Sequence, residues 1–308
     1  MVLMLASVGL ACTAPKEPVT PAASLGEASS ELPTPERFAQ QFSEFGTYWH
    51  QGKAELTRYA LRQARYGDTH DGEAVLIFVT EDFLPKLQVK QEQGESSDAI
   101  SVLKLNAYRR FYTGIYPYTV MTSSFTPAAG APTLKLSGTV QEWCGQVYSQ
   151  INRRDDGLHA LLHSYFQNEA DQEMVLPDAA LEDGLWARLR IDPSAVEVGS
   201  RELVPALDYL RMRHKALRPY PAVVTRTEGA ATDLVDHSVT ALRVEYPPLG
   251  RTLTIYYEPE FPFVIHAWEE VEGPFRTTAV RTNAIMDDYW NHNSASDGAY
   301  RDALGLAY

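Results

Sequence analysis

Between Ala54 and Asn168 the chain repeats one local pattern: a run with strand character, then a short cluster of turn residues. The runs read AELTRYALRQARY, EAVLIFVTEDF, SVLKLNAYRRFYT, PYTVMTSSF, TLKLSGTVQEWCGQVYSQINR and LHALLHSYF. The clusters between them include GDTHDG, QGESSD, PAAGAP and RRDDG. Links this short join antiparallel neighbours, because a parallel crossover needs a dozen or more residues. Further strand signals follow in VPALDYLRMRH, PAVVTRT, VTALRVEY and RTLTIYYEPEFPFVIHAWEEV. In the last of these, Arg251, Leu253 and Ile255 alternate with Thr252, Thr254 and Tyr256, the period of a half-buried strand.

Three helices are expected beside the strands. Thr34 caps the first, Pro35 opens it, and Phe38, Phe42 and Phe45 form its apolar face until Gly46 stops it. Asp178 caps the second, with Leu181, Leu185 and Leu189 on one side and Asp192-Pro193 as its end. The third is the closing stretch DGAYRDALGL. The fold class is therefore mainly β: a large, strongly curved antiparallel sheet or barrel-like domain with a few peripheral helices. So many strands curl because twist accumulates and open edges invite unwanted pairing. The resulting concavity is where a ligand would sit.

Residues 2–11, VLMLASVGLA, are apolar and about as long as a secretory h-region. Leu10-Ala11-Cys12 then supplies small residues before a cysteine, as a lipoprotein signal requires. Gly9 stands where such signals usually carry a larger aliphatic residue, and no charge precedes Lys16. The alternatives are a cleaved leader with an incidental cysteine and a cytosolic chain with an apolar start. The favoured reading makes 1–12 a signal with Cys12 as lipid attachment site, 13–34 a Pro/Ala/Ser-rich tether, and 35–308 a single β-rich domain. It places the protein in the cell envelope, exported and held at a membrane by its lipid.

The net charge of −13 repels phosphates, so nucleic acid is not an expected partner. No cofactor or metal is called for by motif: G-x-G-x-x-G, H-E-x-x-H and G-x-S-x-G do not occur. Gly46 to Lys53 fails as a P-loop in spacing, and Ala54 replaces its Ser/Thr. His159 and His163, four residues apart, lie on one side of a helix or strand, which leaves joint metal binding open, but two polar residues on one strand face is the favoured reading.

The remaining candidates are Cys144 with its neighbours Glu142 and Trp143, and the tyrosines Tyr112, Tyr116 and Tyr118. A lone thiol becomes a nucleophile when a neighbour lowers its pKa, but free cysteine is more often a packed core residue, the reading favoured for Cys144. The tyrosines, crowded with Tyr108, Phe111, Arg109 and Arg110, suit either stacking on a glycan or packing at a strand corner, and packing is the favoured reading. Glu81-Asp82, Glu142 and Glu269-Glu270 offer carboxylates whose separation the sequence does not reveal.

ELTRYALRQARYGDTHDGEAVLIFVTEDF, LKLN, FYTGIYPYTVMTSSFTP, QEWCGQVYSQIN, SYF, LWARLRIDP and RTLTIYYEPEFPF, with the terminal DYW and NHN, resemble a family of uncharacterised bacterial exported proteins. Its members are often labelled septum formation inhibitor Maf. That label does not fit this chain, because Maf nucleotide pyrophosphatases carry S-x-S-P-R-R and here no Ser-Pro dipeptide occurs. The resemblance implies export and brings no catalytic residues. At fold level the layout is similar to LolA-like lipoprotein carriers. Two functions are expected in order: a non-catalytic binding protein for an apolar, glycan or protein ligand, then a cysteine- or carboxylate-dependent hydrolase.

Overall fold

The computed structural model describes residues 43–94 and 96–306. The leader, Cys12, the tether and the proposed cap at Thr34 lie outside them. The first helix, α1, is described over 43–49. It runs through Gly46 and ends after Trp49, so Gly46 is not its stop. Trp49 is fully buried against Phe78, with ring centroids 6.0 Å apart. That packing outweighs the roughly 1 kcal/mol a mid-helix glycine costs.

The strands are β1 Ala54–Arg65, β2 Asp68–Leu84, β3 Val89–Lys90, β4 Ile100–Thr113 and β5 Tyr116–Pro127. Then come β6 Lys135–Glu142, β7 Gly145–Arg154, β8 Gly157–Ser164, β9 Gln172–Leu176 and β10 Ala180–Leu181. After helix α2, Glu182–Ile191, follow β11 Gly199–Val204, helix α3 Leu207–Met212 and β12 Tyr220–Ala230. The remainder is β13 Val239–Tyr246, β14 Arg251–Tyr257, β15 Ile265–Glu272, β16 Phe275–Asp287 and helix α4 Gly298–Leu304.

All sixteen strands of the described residues form one sheet in the order β10-β11-β12-β13-β14-β15-β16-β1-β2-β4-β5-β6-β7-β8-β9, with β3 paired to β2. Every pairing is antiparallel except the two-residue contact of β10 with β11. The expected large curved antiparallel sheet is present, and it is left unclosed: β9 and β10, its two edges, are joined through residues 177–179. The first strand pairs with the last, β1 with β16, so this contact zips the two halves of the chain together.

Several local expectations need correction. GDTHDG is not a loop: the turn is Tyr66-Gly67, at φ 55° and 84°, and Thr69 to Gly72 continue β2 paired with β1. Two left-handed residues match the twist of the flanking strands, so a two-residue turn suffices. Asp178 does not cap α2; it pairs with Arg153, and β10 intervenes before the helix starts at Glu182. VPALDYLRMRH supplies only the end of β11 and then α3, whose first amide, Leu207 N–H, donates to Asp183 at 2.9 Å. Strands β3, β9, β10 and β16, and β11 before Val204, carry no strand signal among the runs read from the sequence. Gly273-Pro274 has the composition of an ending, whereas Gly273 at φ 57° makes a tight hairpin that carries β15 into β16.

Helices α2 and α3 lie inside the curl rather than at its periphery. α2 packs on β4 and β5, and α3 on β5 and β6. Trp186 of α2 meets Trp268 of β15 edge-on at 5.1 Å, and Tyr59 of β1 approaches the same ring at 4.7 Å. Around these two helices the concavity that curvature creates is filled by the protein's own side chains, down to spaces of about 20 Å³.

Candidate functional site at the hairpin tips

The filled interior decides where a ligand can and cannot go. Between α2, α3 and the sheet there remains a space of about 20 Å³, lined by Arg109, Asp183, Asp208, Tyr108, Trp186 and Trp268 among others. That is room for one water molecule. Arg109 holds Asp208 at 2.9 Å. Burial, and then the charge of Asp208, push the Asp183 carboxyl up to about 7. Two carboxylates thus converge, but no substrate reaches them.

Four of the other five candidate carboxylates are engaged by a cation, and the fifth, Asp82, is exposed. Glu81 is held by Lys104 at 3.2 Å, Glu269 by Arg276 at 2.7 Å, and Glu270 by Arg251. Glu142 faces Arg211 of α3 at 3.3 Å, both side chains 3% exposed. None of these forms a catalytic pair.

Cys144 is not a core thiol. It sits with Trp143 in the two-residue turn between β6 and β7 and is exposed, because Glu142 pairs with Gly145 and leaves the two residues outside the ladder. The Glu142 carboxylate accepts from the Cys144 backbone N–H at 2.6 Å. Hydrogen bonding to Glu142 and its negative charge raise the thiol pKa, the opposite of what a nucleophile needs.

What the tertiary structure does assemble is a rim. Strand direction places the β1–β2, β4–β5, β6–β7 and β8–β9 connections at one end of the sheet, on consecutive hairpins. Each carries an exposed apolar or aromatic residue: Tyr66 at 61%, Ile115 at 79%, Trp143 at 68% and Tyr165 at 77% exposure. Each such hairpin is two strands wide, so the four tips span about 29 Å along the curve at about 4.8 Å per strand.

Behind the tips the aromatic layer is braced. Trp143 lies over Tyr116 with centroids 6.1 Å apart, and Tyr118 stacks on Phe111 at 4.8 Å. Tyr66 and Tyr118 share a hydrogen bond of 2.7 Å, and Arg65 donates to both hydroxyls. Burial opposes the Tyr66 phenolate, but hydrogen bonds from Tyr116 and Tyr118 and the Arg65 charge outweigh it and lower its pKa. Arg211 lies 4.0 Å above the Phe166 ring, and His214 meets Glu169 at 2.5 Å.

Of the sequence candidates, Glu142, Trp143, Cys144, Tyr116 and Tyr118 come together here. Tyr112 is also exposed, near the same end on β4, but makes none of these ring contacts. Sequence reading missed Arg65, Tyr66, Tyr165 and Arg211, which lie far apart along the chain. Tyr66-Gly67 between two strand runs was the available signal for one of them. His159 and His163 turn to Asp156 and Asp171 respectively and share no ligand position. Among the described residues, His237, Glu258 and His266 form one group that could hold a metal, and Asp287, Asp288 and His292 another.

No family model matches the chain, and no curated protein does. Among solved structures it is similar to a β-barrel-like protein of a domain of unknown function, DUF1849, from Brucella abortus. The two are 10% identical with a TM-score of 0.48, over 76% of this chain and 98% of that one.

Proposed function

We propose that this protein is an exported, lipid-anchored binding protein of the cell envelope that engages a partner protein through its hairpin-tip rim, without catalysis. The observation that carries the reading is the run of four consecutive exposed tips, with a space of only about 20 Å³ left beneath α2 and α3 and an open cleft of about 660 Å³ beside the tips at Phe166, Glu169 and His214. Single exposed apolar residues are ordinary, whereas a contiguous set marks a contact surface. Trp and Tyr backed by Arg are the side chains that dominate protein contacts, since they bury large area with few rotamers to freeze. A patch about 30 Å across also matches one side of a standard interface, roughly 800 Å².

Anchoring rests on the leader and Cys12. An acyl chain there would hold the domain at a membrane, and 13–34 would give it clearance. A hydrolase using Cys144 is disfavoured by its raised thiol pKa, and one using Asp183 and Asp208 by lack of access.

The test has two arms. Cys12→Ala should move the protein from the membrane to the soluble fraction; unchanged fractionation removes the anchor. A photo-crosslinker placed at Trp143 or Tyr165 in living cells should give one discrete protein adduct, absent when it is placed at exposed Val175 on edge strand β9. Equal adducts from all three positions, or adducts with glycan alone, would overturn the protein-partner reading.

A further inference from the structure

At the opposite end of the strands from the rim, three chain segments converge. Glu258 follows β14, His266 lies at the start of β15, and His237 sits in the link from β12 to β13. The register of β14 with β15 skips at this place: Tyr256 pairs with Ala267 and Tyr257 with Ile265, which leaves His266 as the extra residue of a bulge. A bulge redirects a side chain out of the alternating pattern. Here His266 Nε2 comes to 2.7 Å from a Glu258 carboxylate oxygen.

His237 approaches the same oxygen, its Nε2 at 3.6 Å. The two imidazole rings stand at 86° with centroids 4.8 Å apart. The ligand atoms of all three residues lie within 4.8 Å of one another.

We infer that His237, Glu258 and His266 form a binding site for a divalent transition-metal ion of the zinc class, with water in the fourth position. Three N and O donors at about 2.0–2.2 Å from a tetrahedral ion are about 3.3 Å apart, a spacing reached here by shifts of about an ångström. Two imidazoles and one carboxylate are borderline ligands that suit zinc and its neighbours rather than calcium or magnesium.

An ordinary surface ion pair needs one histidine beside Glu258. Here two histidines from separate segments turn Nε2 to one carboxylate. In addition, Asp236 meets His237 at Nδ1, 3.0 Å away. That contact leaves Nε2 free to ligate, the usual support of a metal-bound histidine. The second group, Asp287, Asp288 and His292, lacks a second imidazole. This inference is independent of the rim.

The test uses the full-length, untagged chain in detergent with Zn²⁺ alone, titrated against a chromogenic chelator. One equivalent should bind. His237→Ala, Glu258→Gln and His266→Ala should each weaken binding at least tenfold. Asp236→Asn should weaken it about 10- to 100-fold. Co²⁺ should give the strong visible bands of a four-coordinate ion, lost in His266→Ala. A double His159→Ala/His163→Ala variant should bind as the parent does. Unfolding midpoints measured in chelator show that each variant is folded. Equal affinity in parent and His237→Ala/His266→Ala, or loss of binding only when Asp287 and His292 are replaced, would overturn the assignment.

Discussion

Arg251 and Glu182 meet inside the curled sheet as a bidentate pair, at 2.6 and 2.7 Å, each side chain 1% exposed. Arg251 opens β14, Glu182 opens α2, and Glu270 of β15 shares the same guanidinium. At the far end of α2, Arg190 makes a second bidentate pair with Glu55 of β1, at 2.6 and 2.7 Å. The helix that fills the hollow is thus clipped at both ends to strands that are remote in sequence.

Removing one member of such a cluster leaves an uncompensated buried charge. Arg251→Met should therefore cost about 3–5 kcal/mol in urea unfolding. Adding Glu182→Gln to it should recover part of the loss, because one orphaned carboxylate disappears. A single variant within 1 kcal/mol of the parent would show that α2 is not held this way.

Stability should also depend on pH through two carboxyls with opposite sign. Asp183, at about 7 when folded, is raised above an ordinary value near 3.9, so the folded state binds the extra proton. Its contribution is greatest below about pH 4 and declines as pH rises to about 7. Burial opposes ionisation of Glu55 too, yet the charge and hydrogen bonds of Arg190 outweigh it and hold its carboxyl down at about 2. That contribution is present above about pH 4 and is lost as pH falls towards 2. Asp183→Asn keeps an acceptor for Leu207 N–H and should flatten the decline between pH 4 and 7 while leaving the acid loss. Denaturant midpoints across pH 2–8 decide it; an unchanged slope in the variant would remove Asp183 as the cause.

Gly184 should tolerate no side chain. A β-carbon there would lie 2.1 Å from Thr133 Oγ1 and 2.9 Å from Thr133 Cβ. Gly184→Ala should cost about 1–3 kcal/mol by overpacking, despite its better helix propensity. Gly298→Ala, in α4 with open space around it, should be neutral or gain a few tenths. Thermal unfolding of the two variants side by side gives the comparison.

Cys144 should label fully in the native protein, but slowly for an exposed thiol. Glu142 raises its pKa, so the rate should climb at a higher pH than for a free thiol. Glu142→Gln should shift the pH–rate profile of disulfide-reagent labelling down and speed the reaction severalfold at neutral pH. A parent profile already centred below pH 8 would contradict the role given to Glu142.

The extent to which these features could be read beforehand follows their range along the chain. β1, β2, β4 to β8, β13 and β14 announce themselves, since alternation and turn residues act between neighbours a few positions apart. α3 did not, because LDYLRM is buried on every side and carries no one-faced pattern to tell helix from strand. Cys144 was misplaced for a related reason: Trp143-Cys144 has strand-like composition, and only the pairing of Glu142 with Gly145 turns it into a tip. Local signals mark Glu142, Trp143, Tyr116 and Tyr118 one by one and give no sign of Arg65 or Arg211, which complete the rim.

The amino-acid order alone settled the fold class, because period-two patterning and short turns permit little other than an antiparallel sheet that must bend. It left open what fills the bend. Burial of α2 and α3, the pairing of Glu55 with Arg190 and of Glu182 with Arg251, and the convergence of His237 with His266 all join residues that no local rule connects. Those were decided only when the strands took their places and brought the far-apart side chains within a few ångströms.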